Sequence, residues 1–523
     1  MSATGAYATA VVARLRDFFS SRTHWQRRLW NVGLLMGLRE IVEATEAVRA
    51  RALSQEALGW LADRMRRRIA ADPGAGDQPQ RTALIECLKR DLTVDGLQYL
   101  MLKELIQDIE ANYFPRWADE LRSGKQLPGQ ERAARSLAAH LLDSGFGLAN
   151  LTAWLNEIAT TAGAGLDVAD LFEAGSALRA TPLTTYEMLV LFDVEPSRSP
   201  TRPSEWISSA TAATWLRSSG FATLKVRQRG GIRLRIEARD EEGAVSAVAD
   251  TIDRFVARVL VGTSVDFALR PEVYFAGGRV MNRSRSRRSV KVHALARADR
   301  VYDLANVGPL DSALELLSHL DTGPPAVAVA AGWSAIESLL LGPGDKANVA
   351  AADRLAALVA CSWPRAELTD LAWAKVAQDD DALCREILGL PSNREKALKI
   401  IEELRSGRPV RWTNQSDVAA ARRVSKAVVN RKTALYDVRA YAIEAFRRLY
   451  RVRNIILHAG RTNPVALEAT LRTAPPLVAA GMDRLAHAYL VSGRIPLELA
   501  ARAELEVERA GSLGAPELTD LLE

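Results

Sequence analysis

The chain of 523 residues is too long for one ordinary hydrophobic core, and about 150 residues per domain predicts roughly three packed units. With 48% hydrophobic and 25% charged residues it is not a disordered or collagen-like chain, and its few aromatic residues and surplus of Ala, Leu and Arg favour helices. The net charge of +6 permits an anionic partner such as nucleic acid without requiring one, because an Arg-rich composition can also reflect genome base composition.

Cysteine usage and hydropathy bear on where the protein works. Cys87, Cys361 and Cys384 lie far apart without Cys-x-x-Cys spacing, so neither a disulfide framework nor a zinc site is predicted, and a reducing cytoplasm is expected. Basic residues follow the first apolar stretch rather than precede it, unlike a secretory signal. The longest apolar segment, Pro324–Leu341, contains polar and acidic residues, so no transmembrane segment or membrane partner is predicted.

The first region of the chain has a helical period. Apolar residues recur at intervals of three and four from Ala6 to about Leu191, which predicts an all-helical N-terminal region over residues 1–195. Clusters of turn-forming residues divide it into about seven helices. These clusters are Asp72–Asp77, Ser123–Gly129 and Asp143–Gly145.

A change of period marks the second region. Residues 196–203 contain closely spaced prolines and no apolar side chain, which predicts an exposed linker. Apolar and charged side chains then alternate over Ile232–Ala238, and this segment is predicted to pair with Ala222–Arg227 as a β-hairpin around Gly230 and Gly231.

The remainder of residues 204–300 adds a helix and short strands. Gly243–Leu260 places its apolar residues on one stripe, which is typical of an amphipathic helix. Val273–Phe275 and Val290–His293 are predicted to be further short strands, so residues 204–300 are expected to form a small α+β domain. The helical period returns over residues 301–523, which predicts a helical bundle and a mainly α fold for the whole chain.

The six histidines are few enough to be considered individually. Five of them have no metal-ligand or catalytic partner at a recognisable spacing, and structural roles are expected for them: His24, His140, His293, His319 and His487. His458 differs because Arg453 and Asn454 lie in the same short segment, at the end of a long helical stretch. A histidine that titrates near pH 6.5 can accept or donate a proton at neutral pH.

This segment resembles the HEPN superfamily, whose nuclease members carry an Arg, a polar residue directly after it, and a His after four to six intervening positions. Here Arg453 and Asn454 are followed by His458, with the apolar residues 455–457 between them and Gly460 just after. The segment around Trp333, Ile336, Glu337 and Leu340, followed by Ala351–Val359, looks similar to the opening helix pair of a HEPN bundle, most like the ApeA-like branch. The resemblance covers about residues 305–495.

The resemblance implies a metal-independent endoribonuclease that needs no cofactor. RNA supplies its own nucleophile, the 2′-hydroxyl, so His458 would transfer protons and Arg453 would hold a phosphate oxygen through its fixed fork of donors. Asn454 would orient His458 or a phosphate oxygen. The expected products are a 2′,3′-cyclic phosphate and a 5′-hydroxyl. Many large HEPN proteins act in antiviral defence against phage, so a triggered defence or toxin effector is implied, with a phage-derived trigger or regulatory partner acting through residues 1–300.

Helix geometry limits what one copy of the segment can do. Residues five apart on a regular helix point about 140° away from each other, so Arg453 and His458 are expected to be poorly aimed within one chain. HEPN proteins usually place two such segments across a dimer, and a homodimer or a HEPN pairing is therefore expected. The alternative is a non-catalytic nucleic-acid-binding or dimerisation scaffold, in which Arg453 forms a salt bridge and His458 is a core or cap residue.

A run of arginines is the candidate contact to the RNA backbone, because clustered cations release counterions when they bind phosphates. The run comprises Arg283, Arg285, Arg287 and Arg288. A solvated loop is the alternative interpretation. Further arginines on the predicted hairpin would extend this surface: Arg227, Arg229, Arg233 and Arg235. Nucleotide hydrolysis is not predicted, since residues 342–346 lack the Gly-Lys-Ser/Thr ending of a phosphate-binding loop.

Overall fold

The computed structural model describes residues 3–89, 91–124, 127–194, 203–222, 224, 230–262, 267–284, 286–304, 308–378, 380–407 and 410–523. Over these residues the chain is mainly helical with one small antiparallel sheet, which confirms the predicted mainly α fold with a small α+β region. The chain divides into two compact units. The helical unit comprises residues 1–143, 154–176 and 288–523, and the sheet unit comprises residues 144–153 and 177–287.

The first eight helices follow the predicted breaks. Their bounds are α1 Ala6–Phe18, α2 Leu34–Arg49, α3 Gln55–Ala71, α4 Gln78–Lys89, α5 Leu97–Ser123, α6 Gln130–Asp143, α7 Leu148–Ala162 and α8 Val168–Ala180. The three predicted turn clusters separate α3 from α4, α5 from α6, and α6 from α7. No helix in the described part of the chain combines the length and apolarity that crossing a bilayer demands.

The sheet unit contains five antiparallel strands in the order β2-β3-β1-β4-β5. The strands and the two helices between them have these bounds: β1 Thr184–Val194, β2 Trp206–Ile207, α9 Ser209–Ser218, β3 Gly231–Ala238, α10 Glu241–Gly262, β4 Ala268–Phe275 and β5 Val280–Asn282. Residues of α10 pack with one face of β1, including Met188 and Val190, and residues of α9 pack with the other face, including Leu189 and Leu191.

The prediction that residues 1–195 are entirely helical is wrong at β1. This central strand is covered on both faces, so residues 188–192 form a continuous apolar run instead of an alternating one. Periodicity alone does not distinguish such a run from a buried helix. Strand β3 agrees with the predicted Ile232–Ala238, but its full-length partner is β1. Residues 223 and 225–229 of the predicted hairpin, and 196–202 of the predicted linker, lie outside the described residues.

The predicted strand Val290–His293 is also wrong. Val290 donates its backbone N–H to the carboxylate of Asp321 at 3.0 Å, so this segment is held by a helix end and not by the sheet. Both Val290 and Val292 pack against the helical core, which accounts for their alternating apolar character. A short helix begins directly at His293.

The remaining helices all belong to the helical unit. Their bounds are α11 His293–Arg297, α12 Pro309–Thr322, α13 Pro325–Leu340, α14 Ala350–Gln378, α15 Ala382–Gly389, α16 Asn393–Arg405, α17 Gln415–Val429, α18 Arg431–Ala459, α19 Leu467–Ser492 and α20 Pro496–Arg509. Helices α13, α14, α18 and α19 each contact the other three and so form a four-helix arrangement. The buried ring of Trp333 on α13 lies 4.9 Å from that of Tyr450 on α18.

The N-terminal helices fold into the same unit as the C-terminal bundle, although the sequence placed them in separate regions, 1–195 and 301–523. Buried ion pairs join the two parts: Arg27 contacts Glu367 at 2.7 Å and Asp417 at 2.6 Å, and Arg448 contacts Glu40. Each of these pairs joins residues hundreds of positions apart. Local sequence patterns do not reveal pairing over such distances. The domain boundary predicted near residue 300 therefore does not separate the N-terminal helices from the bundle.

Candidate functional site

The three residues singled out by the sequence lie on the last turns of α18. This helix ends at Ala459, and Gly460 follows in the left-handed region with φ of 67°, where its backbone N–H donates to the carbonyl of Ile455. Glycine suits this position because a Cβ would be strained there. The glycine therefore fixes the end of the helix two residues after His458.

The side chain of Arg453 bridges the other two residues. Its Nη1 donates to Oδ1 of Asn454 at 2.9 Å and lies 3.4 Å from Nε2 of His458. The expectation that one helix aims Arg453 and His458 apart is therefore wrong, since the long arginine side chain spans the turn between them. The predicted link between Asn454 and His458 is also revised, because the amide oxygen of Asn454 faces Arg453.

Exposure separates the roles of the three side chains. Asn454 is only 6% exposed, Arg453 is half-buried, and His458 is exposed to solvent. A buried amide that accepts a hydrogen bond from a guanidinium orients that guanidinium strongly. When Nη1 donates to Nε2, this nitrogen carries a lone pair, which is the form of histidine that accepts a proton.

Arg453 differs from the arginines around it on and after α18. Those neighbours all form ion pairs with carboxylates: Arg439, Arg447, Arg448, Arg451 and Arg461. Within the described residues Arg453 has no carboxylate partner, and its Nε has no hydrogen-bond partner. The salt bridge that the scaffold alternative requires of Arg453 is thus not found in the described part of the chain, and His458 is not a core residue.

A row of glutamates on α2 holds the end of α18 and the loop beyond it. Glu40 contacts Arg448 and Arg451, and Glu43 accepts the backbone N–H of Val465 at 3.1 and 3.2 Å. Glu46 pairs with Arg461 at 2.8 Å. The sequence alone does not single out these glutamates. The available signal was the row of acids at intervals of three on a mostly apolar helix, because buried carboxylates require partners.

The pKa values of Glu43 and Glu46 are shifted in opposite directions. Burial raises the pKa of Glu43, and the N–H of Val465 offsets this only in part. Burial also acts on Glu46, but hydrogen bonds from Tyr99 and Arg461 outweigh it and lower the pKa of that carboxyl.

The predicted arginine run is used differently at each position. Arg283 donates from Nε and Nη2 to backbone carbonyls of β4 at 3.0 and 3.1 Å, and burial lowers its pKa. Arg288 donates to carbonyls at the C-terminal end of α12 at 3.0 and 2.9 Å, which caps that helix. Arg287 is exposed, and Arg285 lies outside the described residues. Two of the four predicted phosphate ligands thus direct donors to the backbone.

The hairpin arginines are likewise partly engaged. Arg233 and Arg235 lie on β3 and share the carboxylate of Glu187 on β1, with 3.7 Å separating Arg235 from it. Arg227 and Arg229 lie outside the described residues. The positive charge predicted for this face is therefore reduced by one carboxylate.

Comparison of the chain with protein-family models, with curated proteins and with solved structures found no match. Among the described residues no group of three or more His, Cys, Asp or Glu side chains is placed to hold a metal ion. The resemblance to HEPN ribonucleases accordingly rests on the segment ending in His458 and on the helices packed around it.

Proposed function

We propose that this protein is a metal-independent endoribonuclease of the HEPN type with Arg453, Asn454 and His458 as its site. The observation that carries the proposal is the contact between an arginine without a carboxylate partner in the described residues and an exposed histidine, 3.4 Å apart at the end of one bundle helix. A guanidinium and an imidazole held this close can both contact the oxygens around one phosphorus atom.

The cleavage reaction uses the RNA 2′-hydroxyl as its nucleophile. When Arg453 turns from Nε2 of His458 to an oxygen of the bound phosphate, the lone pair of Nε2 becomes free. Nε2 then accepts the hydroxyl proton as the 2′-oxygen forms a bond to phosphorus and the bond to the 5′-oxygen breaks. Arg453 stabilises the charge that develops on the non-bridging oxygens, and Asn454 positions Arg453 for this role. The leaving 5′-oxygen takes up a proton, so the products are a 2′,3′-cyclic phosphate and a 5′-hydroxyl.

A homodimer supplies what one copy of the site lacks. The reaction needs both a proton acceptor and a proton donor. One copy of the site offers one histidine, so His458 of a second copy is proposed as the other group. Exposed apolar side chains beside the site suit such a contact, because Leu457 is 51% exposed and Val465 is 44% exposed.

The biological role proposed is that of a cytoplasmic effector that cleaves RNA after a trigger, in defence against phage or as a toxin. Support for control by the N-terminal helices comes from α2, whose glutamates contact the catalytic helix and the loop after it. A ligand or partner that displaces α2 would alter the end of α18 directly.

The test is RNA cleavage by the purified full chain in EDTA, with the ends of the products analysed chemically. The parent is expected to give cyclic-phosphate ends, and His458→Ala is expected to abolish cleavage because it removes the proton acceptor. His319→Ala is the matched control, since His319 is also an exposed histidine in the last turn of a helix. Where the trigger is present, expression of the parent, but not of His458→Ala, is expected to arrest growth of the host.

Cleavage by a folded His458→Ala protein at the parent rate would contradict the assignment. RNA binding without cleavage in the presence of a trigger that activates growth arrest would instead favour the non-catalytic scaffold.

A further inference from the structure

A cleft in the helical unit lies between α1, the start of α6 and α17. Its volume is about 150 Å³, and small side chains such as Ala10 and Ala419 form part of its lining. Pockets for drug-sized ligands hold about 300–1,000 Å³. The cleft therefore suits a small chemical group and not a large organic molecule.

The cleft has more positive than negative charge. Four cationic residues line it against one carboxylate: Arg14, Arg422, Arg423 and Lys426 against Glu131. Glu131 already accepts hydrogen bonds from Arg14 at 2.7 and 3.0 Å and from Arg135 at 2.7 Å. Burial opposes ionisation of this carboxyl, but the two arginines hold its pKa well below its ordinary value. The one carboxylate is thus neutralised by other partners.

The other three cations lie together on α17. Arg423 pairs with Glu367 at 3.2 Å and lies 4.0 Å from Glu131. Arg422 and Lys426 are exposed, lie one helical turn apart, and have no ion-pair partner within the described residues. Like charges at this spacing destabilise a helix slightly. Between them, Nη1 of Arg423 is buried and has no hydrogen-bond partner in the described part of the chain. Burial and the nearby Arg14 lower the pKa of Arg423, and the carboxylates of Glu367 and Glu131 offset this only in part.

We propose that this cleft is a binding site for a phosphate group, held by Arg422, Arg423 and Lys426. An anion there would relieve the repulsion between the cations and satisfy the donor of Arg423. The start of α6 lines the cleft at Gly129 and Gln130 and adds the positive end of a helix dipole. Among the described residues no aromatic side chain lines the cleft, so the phosphate and not a stacked base is the recognised group.

Thermal unfolding of the full chain tests the site with inorganic phosphate as the probe, compared with sodium chloride at the same ionic strength. The melting temperature of the parent is expected to rise with phosphate concentration, because a ligand that binds only the folded state stabilises it. Arg422→Ala/Lys426→Ala is expected to lose this rise. The matched control is Arg254→Ala/Arg258→Ala, which removes two exposed cations at the same spacing from α10.

A second variant guards against an indirect effect of removing charge. Ala419→Glu keeps every cation and places a carboxylate in the cleft, so it is expected to abolish the phosphate response as well. An equal rise in all four proteins would overturn the site, as would no rise in the parent.

The phosphate group can belong to RNA or to a free phosphorylated molecule. Measurements of RNA binding distinguish these two sources. RNA binding is measured in the His458→Ala background, so the outcome does not depend on whether the protein cleaves RNA. If RNA is the source, the Arg422→Ala/Lys426→Ala change weakens binding and makes the plot of log affinity against log salt shallower by about 1.4, for two lost contacts to a single strand. If RNA binding is unchanged while the phosphate response is lost, the site takes a free phosphorylated molecule.

Discussion

Arg453 differs from its neighbours on α18, because the adjacent arginines are bound to carboxylates and Arg453 has no such partner among the described residues. We expect Arg453→Lys to lower the cleavage rate about 10²–10³-fold, since a single ammonium does not reproduce two guanidinium contacts to a phosphate. The free energy of unfolding is expected to change by less than about 1 kcal/mol. Single-turnover cleavage and urea unfolding measure the two quantities.

Arg67→Lys is the control for this substitution, because Arg67 is exposed on α3. A parent rate in Arg453→Lys would show that any cation at this position suffices, which removes the proposed role of the guanidinium fork.

At this scale the sequence predicted the identity of the three residues but not their contacts. The spacing of Arg453 and His458 along a helix suggested divergence, and only the reach of the arginine side chain decides otherwise. The sequence also does not determine the hydrogen-bond partner of Asn454, because its amide oxygen can accept from any neighbouring donor.

At the scale of elements, α2 acts on the site through Glu43 and Glu46, which predicts opposite pH dependences. The pKa of Glu43 is raised in the folded state, so the stability that its protonated form gives is present below its ordinary value of 4.5 and is lost as the pH rises through the raised pKa. Glu43→Gln keeps an oxygen acceptor for Val465 and stays neutral. This variant is expected to be at least as stable as the parent at pH 7, with a flatter profile of unfolding free energy against pH.

Glu46 gives the matched control with the opposite sign. Its pKa is lowered, so the stability that its ionised form gives is present above its ordinary value and is lost as the pH falls through the lowered pKa. Glu46→Gln should therefore destabilise the protein at pH 7, and the loss should shrink in acid. Parallel profiles for the two variants would contradict the assigned contacts.

Elements were predictable from the sequence where one face was buried and unpredictable where both were. Helix α10 has one apolar stripe, and the sequence predicts it nearly to its bounds. Strand β1 is buried on both faces, and its apolar run predicts a helix instead. The segment at Val290 alternates because it lies on a helical core, and alternation alone could not tell that core from a sheet.

At the scale of the whole molecule, buried charge pairs join the N-terminal helices to the bundle. Arg27→Ala leaves Glu367 and Asp417 buried without their main partner, and the cost is expected to be about 3–5 kcal/mol. Arg49→Ala removes the exposed pair with Asp95 and should change stability by less than about 1 kcal/mol. Urea unfolding compares the two, and equal losses would contradict this ranking.

The proposed dimer makes a separate prediction at this scale. When parent protein is mixed with excess His458→Ala and allowed to exchange subunits, cleavage per parent chain is expected to fall, because most parent chains then face a partner that lacks His458. Cleavage in proportion to the parent chains present would mean that each chain acts alone. Sedimentation of both proteins checks that mixed dimers form.

The row of glutamates on α2 limits how such a protein can evolve by exchange of domains. Arg448 and Arg451 are buried against Glu40. A bundle without its N-terminal helices would therefore expose an apolar surface and leave these two arginines without their carboxylate partner. The bundle is therefore not a transferable module at this boundary. Recombination that exchanges one part for a homologous one would need to exchange the matching charges with it, and the two halves are expected to diverge together.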